Sequence, residues 1–317
     1  MIAALTKPPR ILWATIKPAI EVLFYLVFFK IPAGIKSHRM RNILYDARSR
    51  LSGLALVEGE SEIAYIIDTT DKVISKEVFV RGGFDQEKFS KVADFLFQNG
   101  ILNRINKNLL LDIGANIGTV CLPAIRSNIF QQALAVEADP HNARLLRANI
   151  NLNGLEKAIQ VIGSAVSDLP NVDLQFERSE DNFGDHRVSA DSREGLFSEA
   201  KRKRVLVQST TIDHLFEAFE VDIERCMIWM DIQGYEGQAL MGATKVLTQK
   251  KLPMVVEFWP YGLSRNNGFV MFKQALLPYG YFTDINADPW VRRPVSDLDA
   301  LWESIGVTGD FTDLLLY

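Results

Sequence analysis

The sequence predicts an α/β protein built on a doubly wound, mostly parallel sheet, and three observations carry that prediction. The apolar run Leu109-Leu110-Leu111 leads into Asp112-Ile113-Gly114-Ala115-Asn116-Ile117-Gly118 and then into a helical pattern. A strand that breaks into a glycine-rich turn before a helix builds a nucleotide pocket at the strand's carboxyl end. Later apolar runs show no polar alternation, as expected for strands covered on both faces. From residue 108 onward strand-like and helix-like stretches follow one another, the order that βαβ units require.

Three regions follow along the chain. Residues 1–42 read as an apolar N-terminal helix: Ile11 to Phe29 is nearly all apolar, with Lys7, Arg10, Lys30, Lys36, Arg39 and Arg41 on its flanks. Its length approaches the roughly 20 apolar residues of a spanning helix. Lys17 and Glu21 oppose spanning, since a charge near mid-bilayer costs about 2.5–3.5 kcal/mol, and Pro18 lies between them. Two readings fit equally: a helix in the membrane interface facing anionic lipid, or one docked on the folded domain or on a second subunit of a homo-oligomer. A cleaved signal peptide fits less well.

Residues 43–105 read as an extension packed on the core. It holds a hairpin of Leu54-Ala55-Leu56-Val57 and Ile63-Ala64-Tyr65-Ile66-Ile67, then a helix from Glu87 to Gln98 ended by Asn99-Gly100. Residues 106–317 carry the main domain. After the first strand come Ala133-Leu134-Ala135-Val136, Ile159-Gln160-Val161-Ile162, Cys226-Met227-Ile228-Trp229-Met230 and Met254-Val255-Val256-Glu257-Phe258. Phe311 to Tyr317 makes a final strand, expected antiparallel at the sheet edge. An excursion between strands three and four adds a strand pair, Val172 to Phe176 and Val205 to Ser209, around a polar loop from Glu177 to Arg204.

Composition limits function. The 317 residues are 48% apolar and 23% charged, ordinary for a folded domain, and the net charge of −4 opposes wholesale nucleic-acid binding. Two cysteines, Cys121 and Cys226, make neither a disulfide framework nor a zinc cluster and fit a cytoplasmic protein.

The glycine loop narrows the ligand. It contains no G-x-x-x-x-G-K-[ST] and misses the G-x-G-x-x-G spacing. Asp112, read as the strand's last residue, suits a ligand with hydroxyls and a positive charge, which describes S-adenosylmethionine (SAM). Glu137 ends the second strand nineteen residues after Gly118, the position of a ribose-hydroxyl acceptor in related folds. Its alternative is a strand-end acid in water. Asp139 as N-cap, Pro140 at the first helical position and Gly154 bound the helix that follows.

These features resemble the FkbM-type methyltransferases. The resemblance covers roughly residues 80–285 and rests on the Asp112–Gly118 loop, Glu137, Ser164-Ala165-Val166-Ser167-Asp168 and Thr211-Ile212-Asp213. Its strongest part is Met230-Asp231-Ile232-Gln233-Gly234-Tyr235-Glu236 followed by Ala239-Leu240-Met241-Gly242-Ala243. Gln233 stands where that family more usually has Glu. The resemblance implies a Rossmann-like class I methyltransferase fold with a seven-stranded sheet and SAM as cofactor. It implies O-methylation of a sugar or polyketide hydroxyl. The cofactor contacts expected are Asp112, Gly114, Asn116, Gly118, Glu137, Ala138, Ala165 and Asp231.

Catalysis is assigned to Asp231, His186 and Glu236. Asp231 ends strand four beside the glycine loop, where it orients the cofactor, accepts a proton or holds a metal. Glu236 lies one turn into the next helix and caps it or faces the cleft. His186 sits in Asn182-Phe183-Gly184-Asp185-His186-Arg187, a loop placed to fold over the cleft or to stay in solvent. His141, His214 and His38 read as structural or flanking. Lys201-Arg202-Lys203-Arg204 reads as a solvated strand entrance rather than an anion site. No metal site is expected, because only Asp231 is well placed as an oxygen ligand. Trp259 and Tyr261 line an acceptor pocket or belong to the core. The expected protein is therefore cytoplasmic, at the inner membrane face if residues 11–29 touch lipid. Its acceptor is a small molecule or lipid-linked glycan, not nucleic acid. The rivals are a nicotinamide-dependent oxidoreductase and a catalytically silent SAM-binding module.

Overall fold

The computed structural model describes residues 37–51, 53–103 and 108–317; the apolar stretch Ile11 to Phe29 lies outside them. Among the described residues no helix is long and apolar enough to cross a membrane.

Helix His38–Arg48 runs across the expected 42/43 boundary into the extension, and its N-cap Ser37 accepts from the Met40 N–H. Strands β1 (Leu54–Glu58) and β2 (Ala64–Asp68) form the expected antiparallel hairpin. Helices Ile74–Arg81 and Gln86–Gln98 follow, the first of them unforeseen. The main domain then adds β3 (Leu109–Ile113), β4 (Gln132–Val136), β5 (Ile159–Ile162) and the short β6 (Ala165–Val166). The excursion contributes β7 (Asp173–Arg178), β8 (Arg187–Val188) and β9 (Lys203–Thr210). Last come β10 (Cys226–Met230), β11 (Met254–Phe258), β12 (Tyr281–Asp284), β13 (Val291–Pro294) and β14 (Thr312–Leu316).

Eight of these strands form one sheet in the order β13-β12-β14-β11-β10-β3-β4-β5. Strands β11, β10, β3, β4 and β5 are mutually parallel, while β14 is antiparallel to both β11 and β12. Two expectations change here. The sheet has an eighth strand, because β13 folds back on β12 as a hairpin. The C-terminal strand is not at the edge: β14 is inserted between β11 and β12, and all five of its residues are buried.

Side chains alternate across the sheet, as the period of two demands. Leu110, Ala133, Ala135, Met227, Trp229, Val255 and Leu315 join the core that covers one face. Leu111, Ile113, Leu134, Val136, Ile228, Met230, Val256 and Leu314 join the core on the other. The extension covers the first face, where Phe89 packs against Trp229 with ring centroids 5.4 Å apart. Helix Pro140–Leu152 closes the hairpin's edge with two asparagine amides. Asn149 Oδ1 accepts from Ile66 N (2.6 Å) and Asn153 Oδ1 from Ala64 N (2.9 Å), while their amide nitrogens donate to the same residues' carbonyls. The helix side chains thus replace a third strand.

The excursion forms its own sheet, β6-β9-β7-β8, over the carboxyl ends of the main strands. Its centre is ionic. Arg187, 2% exposed, donates to Glu177 (3.2 Å), Asp185 (2.6 Å) and Glu199 (2.6 Å). Arg202 joins Asp185, and Arg204 reaches Glu177 at 3.7 Å. The basic run is therefore no simple solvated strand entrance: two of its arginines serve this network.

Candidate active site

The glycine loop owes its shape to close backbone approach. Gly114 has φ +87°, and a Cβ there would lie 1.8 Å from the Asp231 carbonyl oxygen. At Gly118 (φ +95°) a Cβ would press on Leu122 and Leu146 at 2.7 and 2.9 Å. Both glycines accommodate the protein's own packing; Gly114 also lines the cavity, while Gly118 does not.

That cavity holds about 500 Å³ of empty space, its open mouth included, between the glycine loop, the end of β4, β6 and the excursion. Gly114, Asn116, Glu137, Ala138, Ala165 and Asp231 line it together with Asn142, Phe183, His186 and Tyr235. Glu137 is the organising acid. Its carboxylate accepts from Asn116 N (2.8 Å) and Asp139 N (2.7 Å), fixing the loop to the helix start. Burial pushes this carboxyl up to about 8. It is therefore buried, not a solvent-facing strand end.

Asp112 is displaced from its expected place. It stands behind the cavity lining, 1% exposed, and accepts from Cys121 N at 3.2 Å. Burial pushes its carboxyl up to about 7. The reason is register: Asp112 sits within β3 and is one residue short of the tip, so its side chain meets the helix that follows the loop.

The loop Asn182–His186 roofs the cavity. Phe183 O accepts from both Asn116 Nδ2 (3.0 Å) and Asn142 Nδ2 (3.1 Å), and Phe183 N donates to Asp71 in the extension (3.1 Å). Asp71 is the latch that sequence reading missed; an acid in a polar turn carries no distinguishing pattern. Among the described residues, three buried atoms lining the cavity find no partner: Asn116 Oδ1, Asn142 Oδ1 and His186 Nε2.

His186 is folded over the cleft, 7% exposed. Its Nδ1 accepts from Ser179 N at 3.1 Å, so the neutral ring carries its proton on Nε2. Burial lowers its pKa to about 4. The ring therefore offers a donor to the cavity and is poorly suited to accept a proton. Glu236 is also reassigned. Its Oε1 accepts from Ile232 N (3.0 Å) and Gly234 N (3.2 Å), closing the turn after β10, and it lines neither this cavity nor the next.

Asp231 is where the expectation places it. Half-buried just past β10, it lines the first cavity and also a second, larger one beyond Gly184. Burial pushes its carboxyl up to about 6, against a hydrogen bond from Gln233 Nε2 (2.7 Å) that lowers it. The same amide donates to both Glu257 oxygens at 3.2 and 3.1 Å. One oxygen each from Asp231, Glu236 and Glu257 converges within 4.8 Å, more oxygens than the sequence alone placed together. The Gln233 amide donates to Asp231 and to both Glu257 oxygens inside this set, which opposes a metal ion chelated by all three carboxylates. Glu257 could have been found: it is another acid following an apolar strand run.

The sequence matches the model of the methyltransferase FkbM domain over residues 112–281, more than half of the chain. The chain belongs to the FkbM methyltransferase family. That is a family of SAM-dependent methyltransferases. No curated protein matches it. Among solved structures it is similar to methyltransferase FkbM from Methylobacillus flagellatus KT, at 16% identity and TM-score 0.41. The alignment covers 87% of this chain and 59% of that one, so this chain spans less than two thirds of that protein's length. It is also similar to TYW2 of P. horikoshii in complex with MeSAdo, at 14% identity and TM-score 0.38, covering 88% of this chain and 83% of that one.

Proposed function

We propose that this FkbM-family protein transfers a methyl group from SAM to a hydroxyl oxygen of a small acceptor, a sugar in chemical class. The observation that carries the reading is the position of Asp231, which lines both cavities at their junction. The unpartnered atoms of the first cavity suit an adenosine. Asn116 Oδ1 and Asn142 Oδ1 seek donors, which an exocyclic amine and ribose hydroxyls supply, and the His186 Nε2–H seeks a ring nitrogen or oxygen. SAM supplies an activated methyl group when bound.

The chain's own task is alignment and proton removal. Glu137, Gly114 and the Phe183 roof hold the donor end, and fixing two reactants in line contributes roughly 7–11 kcal/mol. Asp231 stands beside the acceptor and takes the hydroxyl proton. A carboxyl raised to about 6 is ionised at neutral pH yet more basic than a free aspartate. Bases of this kind contribute about 10²–10⁴-fold.

Calorimetric titration with SAM tests the reading, together with an assay for S-adenosylhomocysteine release. One-to-one SAM binding with no response to NADH supports it; absence of SAM binding, or saturable NADH binding, overturns it. The membrane-facing role of Ile11 to Phe29 belongs to the same proposal. Co-flotation of the full chain with anionic vesicles supports that part, and its absence removes it.

A further inference from the structure

A row of acids crosses one face of the sheet rim, one per neighbouring strand. Glu137 follows β4, Asp112 lies in β3, Asp231 follows β10, Glu257 lies in β11 and Asp313 in β14. All share the parity of the residues that face the extension. Glu257 and Asp313 are direct cross-strand neighbours, and both line the second cavity along with Asp85 and Asp185. This cavity holds about 810 Å³ of empty space, its open mouth included.

Its charges are unevenly matched. Lys88 is held by Asp313 (2.6 Å) and Asp85 (3.2 Å), and Asp185 is held by Arg187 and Arg202. Glu257 is met by the neutral Gln233 amide, which it shares with Asp231. Burial, then the neighbouring Asp231 charge, push its carboxyl well above the usual range. A cation arriving there would reverse that cost. Two rings of the wall, Trp259 and Phe197, already carry the buried Arg187 guanidinium, 5.0 and 5.7 Å from their centroids.

We propose that this second cavity is the acceptor site and that it selects a small hydroxyl compound bearing an ammonium group, an amino sugar in chemical class. The proposal rests on the methyl-transfer reading above. An ammonium makes a charge-assisted hydrogen bond to Glu257, and the ring edges left open to the cavity take the apolar face of the sugar. A phosphate or carboxylate meets like charge instead, which disfavours anionic acceptors and nucleic acid alike.

The test uses the full chain saturated with S-adenosylhomocysteine and titrated calorimetrically with hexosamines, their parent hexoses and the hexose 6-phosphates. At least one amino sugar binds about tenfold or more tightly than its parent hexose, the size of one charge-assisted hydrogen bond, and no phosphate binds better than its parent. In Glu257→Gln the amino preference disappears while SAM still binds one to one. A hexose or phosphate binding as well as the best amine, no binding by any member, or a preference that survives in Glu257→Gln overturns the proposal. The wild-type comparison decides by itself should the variant not fold. SAM titration of the same protein separates the two levels: no SAM binding sinks the methyl-transfer reading, whereas normal SAM binding with an adverse panel sinks only the acceptor assignment.

Discussion

Two carboxylates that look equivalent in the sequence have different work in the fold. Glu137 faces the first cavity and holds two backbone N–H groups, whereas Asp112 holds Cys121 N behind it. Glu137→Gln turns one accepting oxygen into a donor facing Asn116 N or Asp139 N. SAM Kd should then rise by about tenfold or more, as for loss of a charged hydrogen bond, while titration calorimetry of Asp112→Leu shows a smaller change. The Asp112 variant should instead lose about 1–3 kcal/mol in denaturant unfolding, the cost of an unpaired buried donor. Equal effects of both variants on SAM would remove this division. The His186 tautomer makes a sharper forecast. If Asp231 is the base, the acidic limb of the pH–rate profile falls near 6, and His186→Gln lowers the rate without moving that limb. A limb that vanishes with the histidine would return the role to His186.

At the level of elements, the asparagine pair of helix Pro140–Leu152 is the joint between extension and main domain. Asn149→Leu keeps the volume but strands Ile66 N–H and C=O together with Ile117 O. A loss of about 2–4 kcal/mol in urea unfolding is expected from the groups left unpaired. A change below about 0.5 kcal/mol would mean that water replaces the amide. Such joints explain what could be read beforehand. The glycine loop, Glu137, Asp231 and the parallel strands were legible because strand-tip position and apolar runs are local signals. The hairpin and the β7–β9 pair were legible for the same reason. The Asp71 latch, the Arg187 network and the burial of Arg202 were not, since each depends on partners far along the chain. The inward place of β14 was also hidden. Its run of apolar residues reports burial on both faces but not which neighbours supply it.

For the whole molecule, the acid row sets a stability cost that depends on pH. Glu137, Asp112 and Asp231 are pushed up to about 8, 7 and 6, chiefly by burial. The folded state then binds more protons than the unfolded chain between ordinary carboxylate values and these raised ones. Stability from this source is complete below about pH 4 and is lost as pH rises through 6 to 8. His186 acts in the opposite sense, since its lowered value makes the folded state bind fewer protons between about 4 and 6.5. Only above pH 6.5 do the acids act unopposed. The ligand-free protein should accordingly lose Tm between pH 6.5 and 8.5. Saturating SAM should flatten that loss, because a bound sulfonium and ammonium favour the ionised carboxylates, and SAM affinity should rise over the same interval. Scanning calorimetry with and without SAM at matched ionic strength measures both slopes. A ligand-free Tm that climbs with pH across that interval would show the row to be ionised already in the folded protein, and the same acids could then not be held as a charge deficit that a cationic ligand relieves.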